Sequence, residues 1–162
     1  MPSIEITRPA KPGARAALHA ELDPAVRDTI MSGFNAQSPP YFAAFLGIRV
    51  VEVRRGYARL ELPSRRELLQ PAGVLHGGAS FGLADTAVAA ALRPLYAPGA
   101  VLLTIEMKIN YLEPIPGGTV IAEAYALRAS RSSAYAEVDI WADGKLAARA
   151  TSTYMIREQK SA

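Results

Sequence analysis

Apolar and polar residues along the chain change period several times, and each change marks an element. Asp23-Pro24 has the form of a helix start, an N-cap acid followed by proline at the first helical position. Val26, Ile30, Met31 and Phe34 then share one face, and Pro39-Pro40 ends the helix. Tyr41–Leu46 adds one short helical turn. From Ile48 the period falls to two. Ile48–Arg54 is an ambiguous strand, whereas after Arg55-Gly56 the alternation is clean, with Ala58, Leu60 and Leu62 against Tyr57, Arg59 and Glu61. Two such runs joined by a short glycine turn form a hairpin.

Ser64–Leu75 is an irregular connection leading to Gly77-Gly78 and the alanine-rich stretch Ala79–Leu92. Alanine favours helix, and a helix apolar on nearly every side belongs inside a protein. Its 14 residues span roughly 21 Å at about 1.5 Å each, and Arg93-Pro94 is the stop signal. Four period-two runs follow: Val101–Leu112, Thr119–Ala129, Ser133–Trp141 and Lys145–Ile156. In the first, the odd positions from Val101 to Tyr111 are all apolar and the even ones mostly polar, which predicts a long half-buried strand with Thr104 turned away from the helix. Pro114–Gly118 and Asp143-Gly144 are turns, the second of the type I′ kind. Short links predict antiparallel neighbours. The fold class is therefore α+β, with an antiparallel sheet of about six strands curled around one long central helix. Residues 1–20, rich in Pro, Ala and basic residues, are expected to be a loose N-terminal arm, and residues 21–162 one domain.

Composition removes several alternatives. The chain has no cysteine and only two histidines, His19 and His76, so neither a thiolate nucleophile nor a zinc cluster is expected. The net charge of +3 suits a small polyanionic ligand, but the arginines are scattered rather than striped, which argues against nucleic acid. No apolar run reaches the ~18 residues of a membrane helix, and no secretory signal is evident at the start.

Candidate chemistry gathers at the central helix. Asp85 stands within its most apolar part, with Gly78, Phe81, Gly82, Val88, Ala89 and Leu92 on its side at helical spacing. Burying a carboxylate there is costly without compensation. It either pairs structurally, with an arginine or a neighbouring helix, or reacts. Gly77-Gly78 opens the helix, where unpaired amides at the positive end of the dipole can donate to a carbonyl gaining charge. The same pair also reads as a ligand-free turn. His76 either orients a ligand or holds the loop.

The spacing Gln70-x2-Gly73-x2-His76-Gly77-Gly78-x6-Asp85 resembles the hotdog-fold acyl-CoA thioesterases, in the branch that includes the phenylacetate-pathway enzymes. The resemblance runs from Phe45 to Tyr154 and includes Thr104–Pro114, which looks like that family's long central strand. It implies one hotdog domain that hydrolyses an aryl- or medium-chain acyl-CoA without cofactor or metal, in the cytoplasm. It assigns Asp85 as the catalytic carboxylate and Gly77 as the amide that polarises the thioester carbonyl. His76 becomes the neighbouring histidine and Gln70 the amide side chain that contacts the reacting group. Thr104 matches a hydroxyl supplied by another subunit. It also implies a homo-oligomer, a dimer or a homotetramer, with the site between subunits. Gly78, Arg128 and Arg131 are candidates for holding the substrate, the arginines through the CoA phosphates. Two rivals share the fold: a hydratase or dehydratase of acyl thioesters, whose motifs the His-Gly-Gly…Asp order fits poorly, and a non-catalytic acyl-CoA binding protein, against which Asp85 argues.

Overall fold

A computed structural model of the protein describes residues 11–36 and 41–157. Helix α1 (Pro24–Asn35) is capped as its sequence predicts, with the Asp23 side chain accepting from the amides of Ala25 and Val26. The Pro39-Pro40 stop lies outside the described residues. A short helix, α2 (Phe42–Leu46), leads into the hairpin β1 (Arg49–Arg54) and β2 (Tyr57–Pro63). The central helix α3 (Gly77–Leu92) follows, then β3 (Val101–Tyr111), β4 (Thr119–Ala129), β5 (Ser133–Ala142) and β6 (Lys145–Arg157). At the β5–β6 turn Asp143 and Gly144 both have positive φ, 47° and 71°, as a type I′ turn demands.

The six strands form one antiparallel sheet in the order β1-β2-β4-β5-β6-β3. Short links do join sheet neighbours at β1/β2, β4/β5 and β5/β6, but not at β3/β4. There the link carries Pro114 and Pro116, which have no N–H to donate to a tight hairpin. It crosses the sheet end instead, held by Leu75 N–H to Ile115 O (2.7 Å) and Ser64 N–H to Gly118 O (2.8 Å). β3 therefore pairs with β6 and becomes an edge.

The sheet's concave face packs on α3, where Leu83, Ala84, Ala87, Val88, Ala90, Ala91 and Leu92 have no exposure. The β1 ambiguity is a bulge: pairing shifts between Val50 and Glu52, so that both Val50 and Val53 reach the core. α1 covers the outer edge of β1. The Asn35 side chain accepts from Val50 N (2.8 Å) and donates to Val50 O (3.0 Å), standing in for a strand partner. α2 rests on α3 at Gly82, where a Cβ would come within 2.8 Å of the Phe42 ring, so glycine allows this close approach without moving that ring.

Of the expected N-terminal arm, residues 1–10 lie outside the described residues. Residues 11–19 lie on the convex face of the sheet. Gly13 N–H donates to Glu123 (2.6 Å), the Arg15 guanidinium sits 4.2 Å above the Tyr125 ring, and Ala16 is buried with Tyr57 and Tyr125. No helix among the described residues is long and apolar enough to cross a membrane.

Candidate active site

Asp85 is less deeply placed than its neighbours suggest. The side of α3 carrying Gly78, Phe81, Asp85 and Ala89 is the open one: Gly78 and Phe81 are exposed, Asp85 and Ala89 half-buried. The expectation that Asp85 lies on a wholly buried face is corrected accordingly. The buried stripe is formed by Leu83, Ala84, Ala87 and Val88, while the Asp85 stripe is only partly covered. One carboxylate oxygen, Oδ1, accepts from Thr104 Oγ1 (2.7 Å) and from Tyr154 Oη (2.7 Å). Tyr154 also donates to the Asp85 backbone carbonyl (2.9 Å). Oδ2 accepts from no described residue, and Asp85 has no described cation as partner.

Thr104 reaches the helix because β3 bulges. Pairing with β6 shifts between Thr104 and Glu106, so the inward residues are Leu102 and Thr104 before the bulge, then Met107 and Ile109 after it. One expectation is thereby corrected: Thr104 faces the helix. The Asp85 that it bonds is that of its own chain. The same shift turns Leu103 and Ile105 out to solvent, 43% and 62% exposed.

Tyr154 was not predicted. It sits opposite Thr104 in the β3–β6 ladder, which brings the two hydroxyls to one oxygen. Burial, chiefly, and the Asp85 charge push its phenol far above the ordinary tyrosine range, against a lowering contribution from Thr104. Tyr154 therefore stays protonated and remains a donor. Its sequence signal is slight: a phenol at a core-facing position of a period-two strand.

The other predicted residues gather at the start of α3. His76 is the N-cap, its Nδ1 accepting from Gly78 N–H at 2.9 Å, which puts the proton of a neutral ring on Nε2. His76 thus holds the helix start, and the Gly78 amide is committed to it. Gly77 N–H meets no described acceptor, while Gly77 O accepts from Tyr111 Oη (2.8 Å). A Cβ on Gly77 would stand 3.0 Å from that hydroxyl, so glycine suits the close approach. Gln70 is exposed in the turn 70–74 and shares with Gly77, Ser80 and Tyr111 the lining of a cavity of about 390 Å³.

A second cavity, about 290 Å³, borders Asp85 and is walled by Thr86, Ala89 and residues of α1 and α2. The two groups do not meet within one chain. Gly77 and Asp85 are eight residues apart on one helix, roughly 12 Å along the axis at about 1.5 Å per residue. Arg128 and Arg131 join neither. Both are exposed at the β4–β5 end, and a bulge after Ala126 sets Arg128 beside Tyr135 on the convex face. Among the described residues no His, Asp and Glu side chains cluster as a metal site.

Residues 72–148 match the model of the thioesterase superfamily. A protein of Saccharolobus solfataricus named as an esterase is 36% identical over 118 residues, 72% of this chain and 83% of its own length. The proofreading thioesterase of Klebsiella pneumoniae is 30% identical over 115 residues, 71% of this chain and 84% of that protein. Among solved structures, a phenylacetic acid degradation protein from Thermus thermophilus superposes with a TM-score of 0.65 at 30% identity, covering 70% of this chain and 96% of that one.

Proposed function

Because the chain belongs to the thioesterase superfamily and is a thioester hydrolase of the hotdog fold, we propose that Asp85 is its catalytic carboxylate, in a site completed by a second copy of the chain. The substrate is an aryl- or medium-chain acyl-CoA, and the enzyme works in the cytoplasm as a dimer or dimer of dimers. One observation carries this reading: an acid held through a single oxygen by Thr104 and Tyr154, its other oxygen without a donor among the described residues, beside a cavity. A structural acid would use both oxygens or meet a cation. Here Oδ2 is left to the substrate.

In the reaction, water adds its oxygen to the thioester carbon, the C–S bond breaks, and the products are a carboxylic acid and the CoA thiol. Oδ2 either takes the proton from that water or attacks the carbonyl first, giving a mixed anhydride that water then opens. Both routes need a donor for the carbonyl oxygen as it gains charge. Gly77 N–H, the uncommitted amide at the positive end of α3, suits that role, and one such donor is worth roughly 3 kcal/mol. Gln70 stands beside it to contact the reacting group.

On one chain these donors lie two helical turns from Asp85, too far to act on one carbonyl. A second copy supplies them if its α3 runs past the open Asp85 side. The bare edge of β3 and its outward Leu103 and Ile105 offer the surface for that pairing. Replacement of Asp85 tests the reading. Asp85→Asn is expected to keep its fold and assembly while turnover of acyl-CoA, followed by free-thiol release, falls ~100-fold or more. Near-normal hydrolysis by this variant refutes the assignment.

A further inference from the structure

We propose that the cavity beside Asp85 continues along α1 into an acyl channel, and that this channel selects an unbranched aliphatic chain of at least about ten carbons. The inference rests on Asp85 being the reacting acid and narrows the substrate class. Gly33 and Phe34 of α1 line both the Asp85 cavity and a larger one of about 680 Å³. The larger cavity runs between α1 and the 93–99 segment, with Val26, Ile30, Pro94 and Pro98 among its walls. Val26, which its spacing assigns to the core face of α1, borders this space and is 48% exposed.

The hydroxyls of the lining are committed elsewhere. Thr29 Oγ1 donates to Ala25 O (2.8 Å), and Tyr96 Oη to Ser130 O (3.0 Å). The Arg93 guanidinium, the one charged group of the lining, donates to the carbonyls of Ala97 (2.6 Å), Ala100 (2.7 Å) and Tyr96 (3.4 Å). Apart from that arginine the side chains that wall the cavity are mostly apolar, which suits hydrocarbon, whose burial costs no polar group its water. From Gly33 back to Ala25 is eight residues, roughly 12 Å of helix. That length alone holds about nine methylenes at ~1.3 Å each, the axial projection of a C–C bond of about 1.5 Å, before the cavity beside Asp85 is counted. An aryl group would fill only the end beside Asp85.

Gly33 marks the passage between the cavities. Its φ is not positive, and a Cβ there would meet nothing within 4 Å, so neither backbone nor packing requires glycine. Glycine also weakens a helix interior relative to alanine. What it provides is open space where the two cavities join.

The test compares kcat/KM for decanoyl-CoA and butyryl-CoA in the wild type, Gly33→Leu and Val26→Trp. The expected result is a preference for decanoyl-CoA in the wild type, with the decanoyl-to-butyryl ratio falling at least ten-fold in Gly33→Leu. In Val26→Trp, which blocks only the far end at an exposed position and carries the test if Gly33→Leu does not fold, the optimum should move to shorter chains. An unchanged ratio in both variants overturns the channel, as does a wild type that turns over phenylacetyl-CoA and butyryl-CoA faster than decanoyl-CoA. Failure of the Asp85 assignment shows separately, as retained turnover in Asp85→Asn on every substrate, whatever the chain-length ratio.

Discussion

At Asp85 the two carboxylate oxygens have different duties. Oδ1 is tethered by Thr104 and Tyr154, so the group has one orientation, and Oδ2, which accepts from no described residue, is the oxygen the proposed reaction would use. Hydrogen bonds to a charged group are worth about 1.5–3 kcal/mol each, enough for either hydroxyl to matter. Thr104→Ala should lower kcat roughly ten-fold with little change in KM, because it frees the carboxylate to rotate without touching the acyl or CoA contacts. Tyr154→Phe should cost a similar factor and also destabilise the fold by about 1–2 kcal/mol, since the Asp85 backbone carbonyl loses its donor as well. Steady-state kinetics and thermal melts check both. If Thr104→Ala raises KM and leaves kcat intact, the hydroxyl contacts substrate instead of aiming the acid. Asp85 stands out in the sequence because an acid in an oily helix contradicts its surroundings, whereas Gly77 and His76 take their proposed roles from the family resemblance. Tyr154 carries no such contradiction, and only its pairing with Thr104 across the β3–β6 ladder gives it a role.

At the level of the strands, period and turn chemistry gave all six and the central helix, but not the places where a strand slips by one residue. A bulge inverts the faces beyond it, so Thr104 and Ile105 exchanged sides relative to simple alternation, and nothing in Thr104–Glu106 announces that shift. The β3–β6 pairing was hidden for a different reason: sheet order depends on where the proline-containing link can cross, a contact with the 64–75 loop that local sequence does not encode. The convex face holds a further surprise, since Tyr57 and Tyr125 are buried beneath residues 11–19. Tyr57 donates to the buried Glu123 carboxylate (2.6 Å) and Tyr125 to Glu137 (2.8 Å). Burial first, then the adjacent carboxylates, raises both phenols well above the ordinary value. In the unfolded chain tyrosines ionise near pH 10. Stability from these groups is thus intact below about pH 10 and drains away as pH rises beyond it, because the unfolded state then releases protons that the folded state keeps. The melting temperature should fall steeply above about pH 10, and Tyr57→Phe should flatten that fall, at a cost of about 1–3 kcal/mol at neutral pH for the under-paired Glu123. Melts across pH 8–11.5 decide it, and an alkaline slope identical in both proteins would mean Tyr57 ionises freely when folded.

On the proposed reading the molecule carries two half-sites for one reaction, in different places. The Asp85 half lies midway along α3, and the Gly77–Gln70 half at its start, two turns away. One sheet edge, β1, is closed by α1 and the Asn35 side chain, whereas β3 keeps its backbone groups and apolar residues bare. A two-fold pairing through β3 would bring the start of one α3 towards the middle of the other, and symmetry would then build two sites per dimer, each with Asp85 from one copy and Gln70 and Gly77 from its mate. Mixing dead variants tests this arrangement directly. Asp85→Asn and Gln70→Ala homodimers should each be nearly inactive. When the two are co-expressed, random pairing makes about half of the dimers hybrids, and each hybrid has one site carrying both changes and one carrying neither. Activity should therefore recover to about a quarter of wild type, with kcat per intact site and KM both normal. Were the acid and the amides of a single chain to serve one substrate, every site in the mixture would carry a defect and no recovery would appear. Refolding the mixture from urea, rather than simply combining folded samples, ensures that subunits exchange, so a lack of recovery there would count against the shared site and not against the kinetics of assembly.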